Sequence, residues 1–181
     1  MKHTIYGGRV KGFTLIEALL VLGIFAVAIA FLAPIAISES ASQRAKSEGQ
    51  IIAAIGKKIQ SIYDRPASYA GLTTTRANQL NVFPESMGDP AVNSFGAQVA
   101  VQTPPDNPKT PTANGARQFQ IDWPGVTADV CSELASDPLG AIGVDVDGVE
   151  VYNRGVSDVD IGAIAANCED GVTVSFIFGK N

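Results

Sequence analysis

Hydrophobic positions are spaced in three different ways along this chain. From Phe13 to Ile37 they are almost continuous, with Glu17 the only charge and Thr14 the only other strongly polar side chain. Residues 18–37 carry no charge, and at ~1.5 Å per residue such a stretch spans roughly 30 Å, the thickness of a bilayer core. From Ser38 to Tyr63 the pattern becomes periodic. Ala45, Ile52, Ile55, Ile59 and Ile62 fall at helical spacing, with Arg44, Lys46, Lys57 and Lys58 elsewhere on the circumference. The two stretches together predict one helix from about Phe13 to about Tyr63, roughly 75 Å long, so part of it extends beyond any membrane. Pro34 interrupts this helix. It removes a backbone donor and crowds the carbonyl of Ala30, so a kink is expected there. Asp64-Arg65-Pro66 reads as the stop, because the residue before proline disfavours helix.

The third pattern is alternation. "TTTRANQLNVF" holds a short helix with a threonine N-cap. A strand is expected around Gly96–Gln102, and "PPDNPKTPTANG" is a loop by composition. "RQFQIDW" alternates as a strand, "TADVCSELAS" reads as a short helix, and "IGVDVDGVEVY" reads as a hairpin turning at Asp147-Gly148. "DIGAIAANC" is another helical turn. "GVTVSFIFG" is the clearest strand, with Val172, Val174, Phe176 and Phe178 on one face. The expected fold is α+β: a long N-terminal helix, apolar then amphipathic, followed by an antiparallel β-sheet roll. The expected segments are residues 1–12, a basic leader; 13–37, the apolar helix; 38–63, its amphipathic continuation; and 64–181, a globular head.

Charge adds a direction. Lys2, Arg9 and Lys11 lie in the first 12 residues, which hold no acid; without them ten basic side chains face 18 acidic ones, a net of −8. A basic flank before an apolar helix predicts a cytoplasmic N-terminus and export of the chain after Ile37. So acidic an exported part has no electrostatic footprint for direct nucleic-acid binding.

The two cysteines, Cys131 and Cys168, both fall in the exported part, where an isolated pair reads as a disulfide, the alternative being two buried free thiols. The one histidine, His3, lies in the leader. Without it, imidazole-activated nucleophiles and histidine-ligated metals are excluded. No Gly-rich phosphate loop is present, so neither an enzyme nor a cofactor is expected. Asp145, Asp147, Asp158 and Asp160 form an acidic run, but it lacks the length and terminal glutamate of an EF-hand, and on a hairpin its acids are expected to face water. No metal is expected.

The stretch "KGFTLIEALLVLGI" resembles the N-terminal signature of type IV pilins and the related pseudopilins. Lys11 and Gly12 precede the boundary; Phe13, Thr14-Leu15-Ile16 and Glu17 open the apolar run. The resemblance implies cleavage after Gly12 by a prepilin peptidase, methylation of the new amine of Phe13, and a helix retained as an anchor. A glycine before the cut gives a protease open access to the backbone. It also gives Glu17 a partner: the amine of Phe13, in the same chain or in a neighbouring subunit of a filament. Wrong registers would leave both charges unpaired, so Glu17 would set the register. A glutamate snorkelling at a membrane interface is the plainer reading.

The family often has a proline at the distance of Pro34, where the helix must bend or loosen on leaving lipid. Gly23 marks either close helix packing or a merely tolerated residue. "VLGI" resembles the type IVb branch, whereas the short leader and Phe13 resemble type IVa. The implied protein is the major subunit of an extracellular type IV pilus of a Gram-negative bacterium. It would be a homo-polymer drawn from a single-pass inner-membrane precursor by an assembly machinery, with no surface partner named by the sequence. A minor pilin or a secretion pseudopilin is the alternative within the family. Outside it stands a secreted or anchored binding protein, with "AVAIA" near Ala30 as a signal-peptidase site.

Overall fold

The structure, a computed structural model, describes residues 15–65, 68–103 and 117–179, with the side chains of 27–39 outside that description. The chain divides into two compact units, Met1–Glu39 and Ser40–Asn181. Helix α1, Leu15–Ile62, contributes to both. The second unit continues with α2 (Thr74–Gln79), a 3-10 turn at Glu85–Met87, β1 (Ala100–Gln102), β2 (Gln118–Val126), α3 (Ala128–Ser136), β3 (Gly143–Val146), β4 (Val149–Asn153), α4 (Ile161–Asn167) and β5 (Val172–Gly179). This is the expected α+β order of helix first and antiparallel strands after. The "PPDNPKTPTANG" loop lies wholly outside the described residues.

The five strands form one antiparallel sheet in the order β1-β2-β5-β3-β4. Register places Val101, Ile121, Phe176 and Val144 in one row, and Trp123, Val174 and Val146 in the next. Paired residues share a face, so these rows make one apolar face, fully or nearly fully buried. The opposite face carries a polar row, Asp122, Ser175, Asp145 and Glu150. On it Asp122 accepts from Gln102 at 2.9 Å, Gln120 at 2.5 Å and Ser175 at 2.7 Å.

Local chemistry explains the joints. The side chain of Thr73 caps α2 by accepting from the amide of Arg76, and that of Asp160 caps α4 by accepting from Ala163. Asp147 and Gly148 both take positive φ, 47° and 80°, as a two-residue hairpin turn requires. In β2 the register shifts between Trp123 and Val126, which accommodates Pro124 inside a strand. Gly125 there has φ 76°, and a Cβ would come within 3.0 Å of Ala97 Cβ.

Two expectations need correction. Asp145 does not face water; it is 8% exposed on the face opposite the apolar rows, where inner strand β3 sets it between Ser175 of β5 and Glu150 of β4. Ile62 does not belong to the buried stripe of α1. It is 39% exposed, since α1 ends there and the chain turns away.

Candidate functional site

The site expected from the sequence is α1. In the first unit, residues 15–26 of the helix are exposed throughout, including Leu15, Ile16, Leu19, Leu20, Leu22, Ile24 and Phe25. Glu17 sits in the first helical turn, exposed among them. A Cβ added to Gly23 would have no atom within 4 Å. Gly12 and Phe13 lie outside the described residues, as does the side chain of Pro34. Among the described residues no helix is long and apolar enough to cross a membrane. The stretch expected to do so, 13–37, falls partly beyond them.

In the second unit, α1 lies on the apolar face of the sheet. Its buried side chains are those of Ala41, Ala45, Glu48, Ile52, Ile55 and Ile59, alternating steps of four and three, which is one face of a helix. Each fully buried isoleucine stabilises this packing by roughly 1.5–3 kcal/mol. Two glycines bring the helix close: a Cβ at Gly56 would meet the Phe178 ring at 2.8 Å, and one at Gly49 would meet Leu139 at 3.1 Å. Phe178 stacks on Phe119, and Phe119 meets Tyr69 edge-on at 4.8 Å, so that end of the core is filled by aromatic rings.

One polar residue belongs to this stripe. Glu48 is 3% exposed, and its Oε2 accepts a 2.8 Å hydrogen bond from Trp123 Nε1. A buried carboxylate requires a donor, and a buried indole N–H requires an acceptor. The pair answers both needs and ties helix to sheet at one point. Neither residue is among the sites expected from the sequence. The legible signal was Glu48 at the one position where the stripe of Ala41, Ala45, Ile52, Ile55 and Ile59 lacks an apolar residue.

The flanks are held as well. On one side Ser42 donates to Glu133 of α3 at 2.8 Å. On the other, Arg44 donates to the Ser94 carbonyl at 3.2 Å and lies 4.8 Å over the Phe95 ring, while Lys58 donates to the Asn81 carbonyl.

Cys131 and Cys168 are joined in a disulfide, with Cα atoms 5.6 Å apart. It links the buried start of α3 to the residue that ends α4. Beside it the amide of Ala128 donates to Asp170 and that of Gly171 to the Val126 carbonyl, both at 2.9 Å. The members of the acidic run are placed separately. Asp145 is buried, Asp147 accepts from the amide of Thr173, and Asp160 caps α4. Among the described residues no three His, Cys, Asp or Glu side chains gather as a metal set.

The family model described as PilS N terminal matches residues 42–179, nearly all of the second unit. The chain belongs to the PilS family of type IV pilins. A prokaryotic N-terminal methylation motif matches residues 8–33, over the leader and the start of α1. Among solved structures, the type IV b pilin from Salmonella typhi matches at 18% identity, with a TM-score of 0.57, over 75% of this chain and 99% of that one. TcpA, a type IV pilin from the Vibrio cholerae El Tor biotype, matches at 17% identity and a TM-score of 0.55, over 75% and 98%. At such identities the likeness is one of fold. No curated protein matches the chain. As a type IV pilin the chain is a structural, non-enzymatic subunit. Its methylation motif implies processing by a prepilin peptidase and a place in a pilus on the cell surface.

Proposed function

We propose that this pilin is the major, shaft-forming subunit of its filament. It is cut after Gly12, methylated on Phe13, held as a single-pass precursor in the inner membrane of a Gram-negative cell, and polymerised outward. Residues 1–12 act as leader, 13–37 as assembly helix, 38–63 as its continuation and 64–181 as head. The supporting observation is Glu17 in the first turn of a helix whose other large side chains there are apolar and exposed. Such a surface needs lipid or other copies of itself to cover it. A carboxylate within it costs ~2.5–3.5 kcal/mol near a membrane centre unless a cation meets it. The amine freed at Phe13 is that cation, and in the packed shaft Glu17 selects the register in which both charges are paired. Pro34 lets the helix bend as it leaves lipid. The fold likeness to a type IV b pilin favours that branch.

The test is Glu17→Ala in the full chain. Membrane level and leader cleavage should stay at wild-type values while sheared filament falls at least ~10-fold, because one member of a buried pair has been removed. Wild-type filament yield would contradict a register role and favour a minor subunit, whose position does not require the glutamate.

A further inference from the structure

Charge in the second unit is segregated. Between residues 40 and 62, α1 carries Arg44, Lys46, Lys57 and Lys58, all exposed, and its only carboxylate is the buried Glu48. Between Cys131 and Cys168 the chain carries seven carboxylates and a single base, Arg154, whose guanidinium is engaged by the carbonyls of Gly140 and Ala141 at 2.9 and 2.8 Å.

Part of this imbalance is met within the subunit. Lys46 lines a groove with Glu133 and Asp137 of the α3 side, and Arg44 helps to lower the pKa of Asp129, after the hydrogen bond from Thr127. The remainder is not. Lys57 is exposed and, among the described residues, no interaction engages it; the same holds for Asp158. Asp158 stands beside Val156 and near Ile161, which are 64% and 63% exposed, with Asp160 two residues on.

The two surfaces are separate: one is the outer face of α1, the other lies beside edge strand β4. Lys58 donates to the carbonyl of Asn81, just after α2, and α2 packs on edge strand β1, whereas Lys57 is turned about 100° further round the helix, opposite the buried stripe of Ile52, Ile55 and Ile59. Asp158 comes just after a bridge between Asn153 and Ser157, and the Asp160 amide donates to the Val151 carbonyl of the other edge strand, β4. A base on the outer face of α1 and an acidic, partly apolar patch beside β4 are different surfaces of the subunit. They suit a heterologous contact repeated from copy to copy, which propagates as a filament.

We propose that Lys57 on the outer face of α1 docks against the acidic edge around Asp158 of a second copy of this chain, which covers Val156 and Ile161. This rests on the reading of the chain as a polymerising subunit and names the surfaces its heads use. Opposite potentials fix partner and register more than they add affinity, and they are screened within about 8–10 Å at cellular salt. Charge reversal with rescue therefore tests it.

In the full chain, Lys57→Glu and Asp158→Lys should each lower sheared filament yield about fivefold or more, with membrane level and leader cleavage unchanged. The double variant should recover most of the loss. Filament from the unmodified chain should fragment more readily at high salt than that of the double variant with its charges neutralised, Lys57→Gln with Asp158→Asn. Single reversals with wild-type yield, or a double variant no better than the worse single, would overturn the contact while leaving the subunit reading intact. Absence of filaments from the unmodified chain would overturn both.

Discussion

Trp123 Nε1 donates to Glu48 Oε2 at 2.8 Å, and this is where the long helix and the sheet exchange a hydrogen bond inside the core. Glu48→Ala would leave a buried indole N–H without an acceptor and open a cavity beside it. Unpaired buried donors cost about 1–3 kcal/mol. Glu48→Gln keeps an acceptor and should lose less. Trp123 is the only tryptophan of the chain, so its fluorescence during denaturation of the detergent-solubilised protein follows both variants directly. Equal stability of Glu48→Ala and wild type would mean that the pair does not anchor the helix.

The disulfide closes a loop with a sequence separation of 37. In the chain-entropy model a loop of that size contributes about 3–4 kcal/mol. The double variant Cys131→Ser, Cys168→Ser should lose that much in equilibrium denaturation. Protease cuts should appear first between α3 and α4, whose ends the bond joins.

Gly56→Ala sets two effects against each other. Alanine favours helix over glycine by ~1 kcal/mol. Its methyl would meet the buried Phe178 ring at 2.8 Å, and that ring is held by its stack on Phe119, so over-packing of ~1–3 kcal/mol should win. A lower melting temperature is expected; a raised one would show that Phe178 yields easily.

The pKa of Tyr69 is raised, first by burial and then by the carboxylate of Asp64. A raised phenol favours the protonated form in the fold. Its contribution to stability is therefore complete below pH 10, the ordinary tyrosine value, and declines as pH rises past it. Ultraviolet titration should show a late tyrosine component that appears only with unfolding at high pH. Tyr69→Phe should remove the late component.

Much of this architecture is legible because simple periods carry it. The alternation of Val172, Val174, Phe176 and Phe178 marks β5, the turn at Asp147-Gly148 marks the hairpin, and an apolar run after Gly12 with Glu17 as its one charge marks the family. What periods do not carry is tertiary. Asp145 alternates like a surface residue, yet β3 is an inner strand and sets it between Ser175 and Glu150 of its two neighbours. Ile62 sits at helical spacing, yet α1 ends at it and leaves it 39% exposed. Glu48 reads as one more helix-surface acid until Trp123, 75 residues later, is brought to it. Cys131 and Cys168 could be paired early only because the chain offers no other cysteine.

The most direct test of a shaft subunit is the identity and N-terminus of the chief protein in filaments sheared from the cell. Intact mass and terminal fragments should show this chain as the bulk of the material, beginning at Phe13 with a methylated amine and with two hydrogens missing for the disulfide. A chain beginning near Ala30 or at Met1, or one present only in trace beside another pilin, would contradict a shaft subunit built on Glu17.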